Sequence, residues 1–409
     1  MIEGRNQEYG NQMLRLLYKE PGLSRSDFSD RLSLDRGTVS RIVAQLIDLG
    51  YVIEGEGSQE PRDQAGRKKV PLFINDRGVC SLGLEVQQEF IKYGALSPNG
   101  SLLFSDILYR SPKSNLVDDI VGAVSRGLAG CRNSRILGVG IALSGLVDPL
   151  SGRLLFSASL GVTKDSLPLV NQLEARLNIS VFIDNDAKCC CYDVLHSMQG
   201  PCDNPGAGGT LAPRSSASNF IYTFCEFIED SEQKDRYSRI GIGTALVIHD
   251  SIYYGSRFAA GEFRTIYADP AIPGQFGRVS CDYFFPMRTD PELRALFIHD
   301  LAGSMAYLAN YLDIQLVYMG GGIERYAEEM QHAFDQAIAA TWLYQRELPR
   351  RITIQFDPSG EKPALRGAAA MVLRHVFLGP VHGGKRSTGL AYLQELAEAS
   401  SELGWVPHE

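Results

Sequence analysis

The stretch from Ser24 to Leu49 carries the narrowest pattern in the chain. Ser24-Arg25-Ser26-Asp27 reads as a capping box, in which the Ser24 hydroxyl accepts from the Asp27 amide and the Asp27 carboxylate reaches back to the cap. A short helix with Phe28 and Leu32 on one face follows, then a tight turn at Ser33-Leu34-Asp35. Asp35 can cap a second helix, along which Val39, Ile42, Val43, Leu46 and Leu49 recur at helical spacing. At about 100° per residue, Gly37 and Arg41 lie opposite that stripe, with Thr38 and Ser40 on its flanks. A recognition helix presents such positions to a major groove, where Arg reads guanine and Ser or Thr reach bases or phosphates.

After Gly50, Tyr51 to Glu54 reads as a strand and Val70 to Ile74 as its return, joined by a polar loop that ends Arg67-Lys68-Lys69. A strand pair with a basic tip beside a helix-turn-helix is a winged helix, whose wing contacts phosphates. A capped helical hairpin inside some other domain is the plainer alternative; cap, turn, stripe and basic wing together favour the DNA-reading head. Its expected DNA contacts are Arg36, Gly37, Thr38, Ser40, Arg41, Arg67, Lys68 and Lys69.

At 409 residues the chain is too long for one ordinary core and suggests about three domains. With 44% hydrophobic and 22% charged residues it has the composition of a globular protein. A net charge of −8 argues against coating nucleic acid by bulk attraction, so binding would be local, with Arg62 adding to the residues above. The eight cysteines show no secreted-domain spacing, and Cys189-Cys190-Cys191 are adjacent in a helical stretch, which suits reduced, buried thiols. No leader pattern opens the chain, and the apolar run Ile136 to Val147 is short of the roughly 20 residues of a membrane span. The expectation is a soluble, cytoplasmic protein with no membrane partner.

Beyond the head, Cys80 to Val86, Phe90 to Leu96 and Ser101 to Arg110 read as three strands, Leu116 to Cys131 as an amphipathic helix, and Ile136 to Ala142 as a buried strand. A helix at Leu167 to Leu177 and a strand at Ser180 to Ile183 lead to Asp184-Asn185-Asp186. This is an α/β order with a mixed sheet, in which ligands sit at strand carboxyl ends. Phe220 to Phe227 and Ile240 to Ile252 start a second sheet, continued by a helix at Asp300 to Leu312, a strand at Leu316 to Met319, a helix at Tyr326 to Trp342, a strand at Ile352 to Phe356 and a helix at Ala364 to Phe377. Ser387 to Leu403 carries a last amphipathic helix, suited to docking on another domain or subunit. The expected organisation is a winged helix-turn-helix over 1–77, α/β lobes over 78–195 and 196–380, and a helical tail over 381–409.

Three glycine punctuation points, Ser144-Gly145, Gly241-Ile242-Gly243-Thr244 and Gly320-Gly321-Gly322, follow or interrupt apolar runs. Each is weak alone, but their order with Asp184-Asn185-Asp186-Ala187, Ala260-Gly261-Glu262 and Leu365-Arg366-Gly367-Ala368-Ala369 resembles the ROK family of repressors, open reading frames and kinases. The likeness, winged helix included, spans nearly the whole chain and implies two actin-like, ribonuclease H-like lobes of the sugar-kinase type with a sugar cleft between them. It implies that Asn185, Asp186 and Glu262 contact a sugar, beside Ser144 and Gly145; in the kinases the matching Asp is the general base. Carboxylate and amide groups orient hydroxyls, and an Asp can take a proton. Capping of the following helix by Asp184 or Asn185 is the competing reading and is compatible with sugar binding.

Two departures bear on function. Thr265 stands where the family has a zinc-ligating His, and Ala268 to Asp282 offers only Cys281, so the four ligands a structural zinc needs are missing and no metal or other cofactor is expected. Where the kinases have a glycine-rich phosphate loop, this chain has Glu85-Val86-Gln87-Gln88-Glu89-Phe90, two carboxylates and no glycine, which would repel a triphosphate. The chain therefore reads as a sequence-specific DNA-binding repressor without catalytic residues, acting as a homodimer or dimer of dimers on double-stranded DNA under control of a sugar-like effector. The alternatives are a hexose kinase using ATP, and a regulator with a decayed sugar site governed by a protein partner.

Overall fold

The computed structural model describes residues 2–55, 69–111, 113–132, 134–199, 219–276, 279–360, 362–379 and 387–402. Of the expected DNA contacts, Arg67 and Lys68, together with Arg62, lie outside them.

The head is built as its local signals dictate. Helix α1 (Ile2–Lys19) precedes α2 (Arg25–Leu32) and α3 (Arg36–Asp48), and a short antiparallel pair follows, β1 (Val52–Glu54) with β2 (Leu72–Ile74). The capping box at Ser24 is complete, with the Ser24 amide donating to Asp27 Oδ2 at 2.8 Å. Ser33 ends α2 in the left-handed region, at φ 53°, and Asp35 caps α3 by accepting from the Thr38 amide at 2.8 Å. Val39, Ile42, Val43 and Leu46 are buried on the inner face of α3, each contributing about 1.5–3 kcal/mol of transfer free energy.

Two compact units divide the chain: Met1–Asn185 with Tyr192–Pro205 and Ala364–Glu409, and Asp186–Cys191 with Gly206–Pro363. The first holds the head and a five-stranded sheet. Its elements are β3 (Val79–Val86), β4 (Phe90–Leu96), β5 (Leu102–Tyr109), α4 (Leu116–Gly130), β6 (Arg135–Leu143), the hairpin β7 (Leu146–Asp148) and β8 (Arg153–Phe156), α5 (Leu169–Leu177) and β9 (Val181–Asn185). The sheet order is β5-β4-β3-β6-β9, antiparallel through β3, β4 and β5 and parallel through β3, β6 and β9. Every residue of β3 is buried, Ser81 and Glu85 included, as its central place between β4 and β6 requires. Next come α6 (Asp186–Gln199), whose first residues belong to the second unit, and that unit's strands and helices: β10 (Phe220–Glu229), β11 (Tyr237–Ile248), β12 (Ser251–Tyr253), α7 (Pro291–Tyr311), β13 (Leu316–Gly320), α8 (Ala327–Thr341) and β14 (Thr353–Phe356). They form a sheet in the order β12-β11-β10-β13-β14, with α7 and α8 supplying Phe297, Leu301, Met305, Met330 and Phe334 to its core.

Helix α9 (Pro363–Leu378) packs on the first unit's sheet so closely that a Cβ on Gly83 would meet the Leu365 carbonyl and one on Gly140 the Ala368 carbonyl. The final helix α10 (Gly389–Glu402) docks within the same chain: the Leu390 amide donates to Asn11 Oδ1 of α1 at 2.7 Å, and the Tyr392 hydroxyl to the Leu137 carbonyl of β6 at 2.6 Å. Among the described residues no helix is long and apolar enough to cross a membrane.

Candidate functional site

On the head, Arg36, Gly37, Ser40 and Arg41 are exposed along α3, and Thr38 is half-buried behind them. Burial of the opposite stripe fixes which side faces out. Arg41 Nη2 donates to Asn6 Oδ1 of α1 at 3.2 Å, a single exposed bond that a base edge can replace. Lys69, expected as a phosphate contact, forms an ion pair with Asp27 at 2.7 Å. That bond and the Ser24 amide hold the Asp27 carboxyl down at about 2. Lys69 thus braces the root of the wing against the cap of α2, and a phosphate would have to compete with Asp27 for it. Arg25 and Arg31 are likewise tied, to Glu54 at 2.6 Å and Glu20 at 2.7 Å, whereas Arg41 of α3 bonds the neutral Asn6.

In the first unit, the parallel register sets Val86 beside Leu143 and Leu143 beside Asn185. The carboxyl ends of β3, β6 and β9 therefore share one sheet edge, bringing together the loops after Val86, Leu143 and Asn185. Asn185 Nδ2 donates to the Gly145 carbonyl at 3.0 Å, and the Ser144 hydroxyl accepts from Ser159 at 3.3 Å. Gly145 lies at φ 120°, where a Cβ would run into the Phe156 carbonyl, so the turn requires glycine. The Asn185 amide itself donates to Asp184 Oδ1 at 2.8 Å, and Asp184 is fully buried. Asp184 thus orients the backbone, leaving Asn185 and Gly145 at the edge.

Gln87 at the same edge was not singled out by the sequence. It is fully buried at the β3–β4 turn, its amide N–H closing on the Phe90 carbonyl at 2.9 Å, and neither polar atom of its side chain has a hydrogen-bond partner among the described residues. An unpaired buried amide costs about 1–3 kcal/mol, which a ligand hydroxyl would recover. The neighbouring Glu85 is not the bare carboxylate the sequence suggested, since it is buried and faces Lys92 across the strands at 3.5 Å. Charge repulsion at that position is therefore partly offset, and the tight hairpin without glycine is the stronger obstacle to a phosphate.

In the second unit, Asp186 and Glu262 approach the same glycine. A Cβ on Gly243 would stand 3.5 Å from Asp186 Oδ1, and the backbone of Gly243 pairs with Glu262 in an isolated bridge. Thr244 secures this arrangement, its hydroxyl donating to the Gly261 carbonyl at 2.7 Å and its amide to the same oxygen at 3.0 Å. Gly261 sits at φ 95°, where a Cβ would overlap the Thr244 carbonyl. Glu262 is exposed and Asp186 nearly buried, with Oδ1 accepting from the Ala187 amide at 2.8 Å. Lys188, also missed by sequence reasoning, is buried two residues on, its ammonium donating to the Phe258 carbonyl at 3.2 Å and facing the Tyr254 ring at 5.8 Å. Thr265 is buried and accepts from Ser304 Oγ at 3.1 Å, so a hydroxyl pair occupies the place where the resemblance puts a metal-ligating His.

The glycine triplet after β13 turns the chain with Gly321 at φ 87° and Gly322 at φ 118°. The Gly322 amide, the kind of donor that would receive a phosphate, donates instead to Glu324 Oε2 at 2.7 Å. Burial raises the Glu324 carboxyl, and its place on the loop would oppose a second anion. Among the described residues no cluster of His, Cys, Asp and Glu is arranged to hold a metal ion.

Comparison with known proteins follows this division. Residues 12–62 match the MarR family and residues 84–195 the ROK family. A xylose repressor of Caldicellulosiruptor bescii is 23% identical over 258 residues, 61% of this chain and 56% of that protein; the chain thus spans little more than half the length of this curated relative. Among solved structures, a ROK family transcriptional regulator described as a homologue of the E. coli MLC protein superposes with a TM-score of 0.67 at 15% identity, covering 96% of this chain and 99% of its own. A ROK family glucokinase from Streptomyces griseus, solved with glucose and AMPPNP, superposes with a TM-score of 0.52 at 17% identity over 71% of this chain and 98% of its own. The fold is therefore an N-terminal helix-turn-helix followed by a sugar-kinase-like α/β body, with the MarR family match over the head and the ROK family match over residues 84–195.

Proposed function

We propose that this protein is a sequence-specific DNA-binding repressor whose ROK-type body responds to a small ligand, a sugar or sugar derivative, and that it does not phosphorylate that ligand. The observation that carries the reading is the exposed face of α3, with Gly37, Ser40 and Arg41 beside the wing, joined to a body in which the Gly322 amide is occupied by Glu324. The relation to a repressor supports it.

In this reading α3 enters the major groove, and Arg41 exchanges its bond to Asn6 for a base edge. The first unit offers this ligand Gln87, Asn185 and Gly145, and the second offers Asp186 and Glu262. Two copies of the chain present two heads to a two-fold operator, and the ligand favours an arrangement in which the heads no longer match the half-sites. The test is a footprint on the DNA flanking the protein's own gene, followed by a titration with sugars, amino sugars and their phosphates. A protected two-fold site released by one sugar is expected; absence of any specific site overturns the reading.

A second reading, a hexose kinase that also binds DNA, is favoured by one observation, the superposition on the glucokinase over nearly that enzyme's whole length. Coupled ATP-consumption assays over a hexose panel decide it, since turnover abolished by Asp186→Asn would establish the kinase. If calorimetry finds no sugar that binds, the hydroxyl pair at Thr265 marks a decayed site, and control by a protein partner takes precedence.

A further inference from the structure

A cavity of about 380 Å³ lies inside the first unit, where the head meets the body. Its apolar wall comes from the head, with Leu17, Ile53, Phe73 and Ile74 beside the almost fully buried Tyr18; its polar end comes from Asp76 at the junction and from Asn99 and Ser101 of the body. The volume falls within the class of cavities that hold small molecules, about 300–1,000 Å³. The polar end is set rigidly. Asn99 Oδ1 accepts from the Ser97 hydroxyl at 2.6 Å and the Ser101 amide at 3.0 Å, which aims Asn99 Nδ2 at Asp76 Oδ2, 2.6 Å away. Asp76 Oδ1 has no hydrogen-bond partner among the described residues.

We propose that this junction cavity is a second small-molecule site, for an aromatic or cycloaliphatic amine whose ring packs against Ile53 and Phe73 and whose ammonium donates to Asp76. A carboxylate fixed from one side and open on the other selects a donor, and a cation above a neutral one, because a charge-assisted bond is about twice as strong. The Phe73 ring in the wall adds attraction for a cation. The site is distinct from the residues assigned to the sugar-like ligand, none of which lines it.

Occupancy would be felt by the head through Tyr18, whose ring is part of the wall while its hydroxyl is bonded to His196 Nδ1 of α6. A guest seated between Phe73 of the wing and Asp76 shifts the wing strands within the tied head, so it alters the affinity of the head for DNA. That consequence rests on the DNA-binding reading; binding in the cavity does not.

The experiment is isothermal titration of the full chain with 2-phenylethylamine, with 2-phenylethanol as the neutral isostere. Saturable binding of the amine is expected, weakened at least about tenfold in the alcohol, in Asp76→Asn and, by filling of the cavity, in Ile53→Trp. Ile53 is 39% exposed, so the larger ring is accommodated without unfolding the head, and an unchanged circular dichroism spectrum verifies both variants. No saturable binding of the amine, or equal binding in both variants, overturns the site. Equal binding of the alcohol overturns the assigned ligand class. Loss of amine binding in the variants with unchanged footprinting keeps the site and removes only its effect on DNA.

Discussion

His196 offers a measurable handle on the fastening of the head to the body. It lies on α6, 2% exposed, with Nδ1 bonded to the hydroxyl of Tyr18 from α1. Burial, reinforced by Arg366 and Arg374, lowers its pKa to about 3 from the ordinary 6.5. The folded chain thus holds this imidazole neutral in a range where the unfolded chain protonates it. Above about pH 6.5 both states bind no proton there and His196 adds no pH dependence. Below it, the unfolded state gains a proton that the folded state refuses, and stability falls by up to about 1.4 kcal/mol per pH unit until the folded ring titrates near 3. At pH 5 the accumulated loss is about 2 kcal/mol from this residue alone. Other groups titrate over the same range, so the informative quantity is the difference between the wild type and His196→Gln, which keeps an acceptor for Tyr18 but cannot take the proton. Urea unfolding at about pH 8 and about pH 5, with hydrogen exchange of the α1 amides as the local reporter, should show the wild type losing about 2 kcal/mol more than the variant. Equal losses in the two proteins, to within about 0.5 kcal/mol, would refute a buried neutral imidazole at the head–body seam.

On the DNA face, Arg41→Ala should cost about 1–3 kcal/mol of specific binding and relax the preference at one base pair, read by competition binding over single-base operator variants; a uniform loss across sequences would make Arg41 a phosphate contact. Gly261→Ala places a Cβ against the Thr244 carbonyl at φ 95° and should destabilise the second unit by about 1–3 kcal/mol or more, seen as a lower melting temperature. An unchanged melting temperature would mean that the Thr244–Gly261 bonds do not hold the Glu262 turn. Tyr51→Phe removes a buried hydroxyl that donates to the Leu393 carbonyl at 3.0 Å and should cost about 1 kcal/mol, with faster exchange in α10 as its signature.

Local signals were the ones the sequence made readable. The Ser24 box, the Asp35 cap and the α3 stripe involve partners within a turn or two, so residue type and spacing suffice. β6 was readable because a strand buried on both faces is an unbroken apolar run, as Ile136 to Leu143 is. The start of α7 was misplaced for the opposite reason: apolar periodicity pointed to Asp300, whereas Asp290 caps the helix and Pro291 opens it, nine residues earlier. Pairing across distance was hidden. The ion pair of Lys69 was not readable because Asp27, its partner, is 42 residues away in sequence. Glu85 looked bare because the register that sets Lys92 opposite it is a property of the sheet. Among the candidate ligand residues of the two units, Asn185, Asp186 and Glu262 could be named from motif order, while Gln87 and Lys188 acquire interest only from burial, which no local pattern announces.

The seam within the first unit also constrains the proposed mechanism. Tyr18 stacks on Phe377 of α9 at 5.1 Å between centroids, and Arg135 of β6 donates to the Leu49 carbonyl at 2.9 Å while covering the Tyr51 ring at 5.1 Å. Asn11 is held by the Leu390 amide, and Gly10 lies so close to Leu390 that a Cβ would clash with it. A head tied by buried aromatic, cationic and backbone bonds is ill suited to swivel freely on a linker. In the proposed mechanism a ligand therefore acts on the spacing of whole head-bearing units in a dimer, and on the orientation of one head only through its fixed contacts with α6, α9 and α10. This separates two classes of variant. Weakening the seam, as in Tyr51→Phe, should blunt operator affinity and ligand response together, because it loosens the element that both must share. Changing Asn185 or Asp186 should abolish the response while leaving the affinity of the unliganded protein intact. A seam variant that lost ligand response with undiminished operator affinity would show that the head is steered separately from its unit.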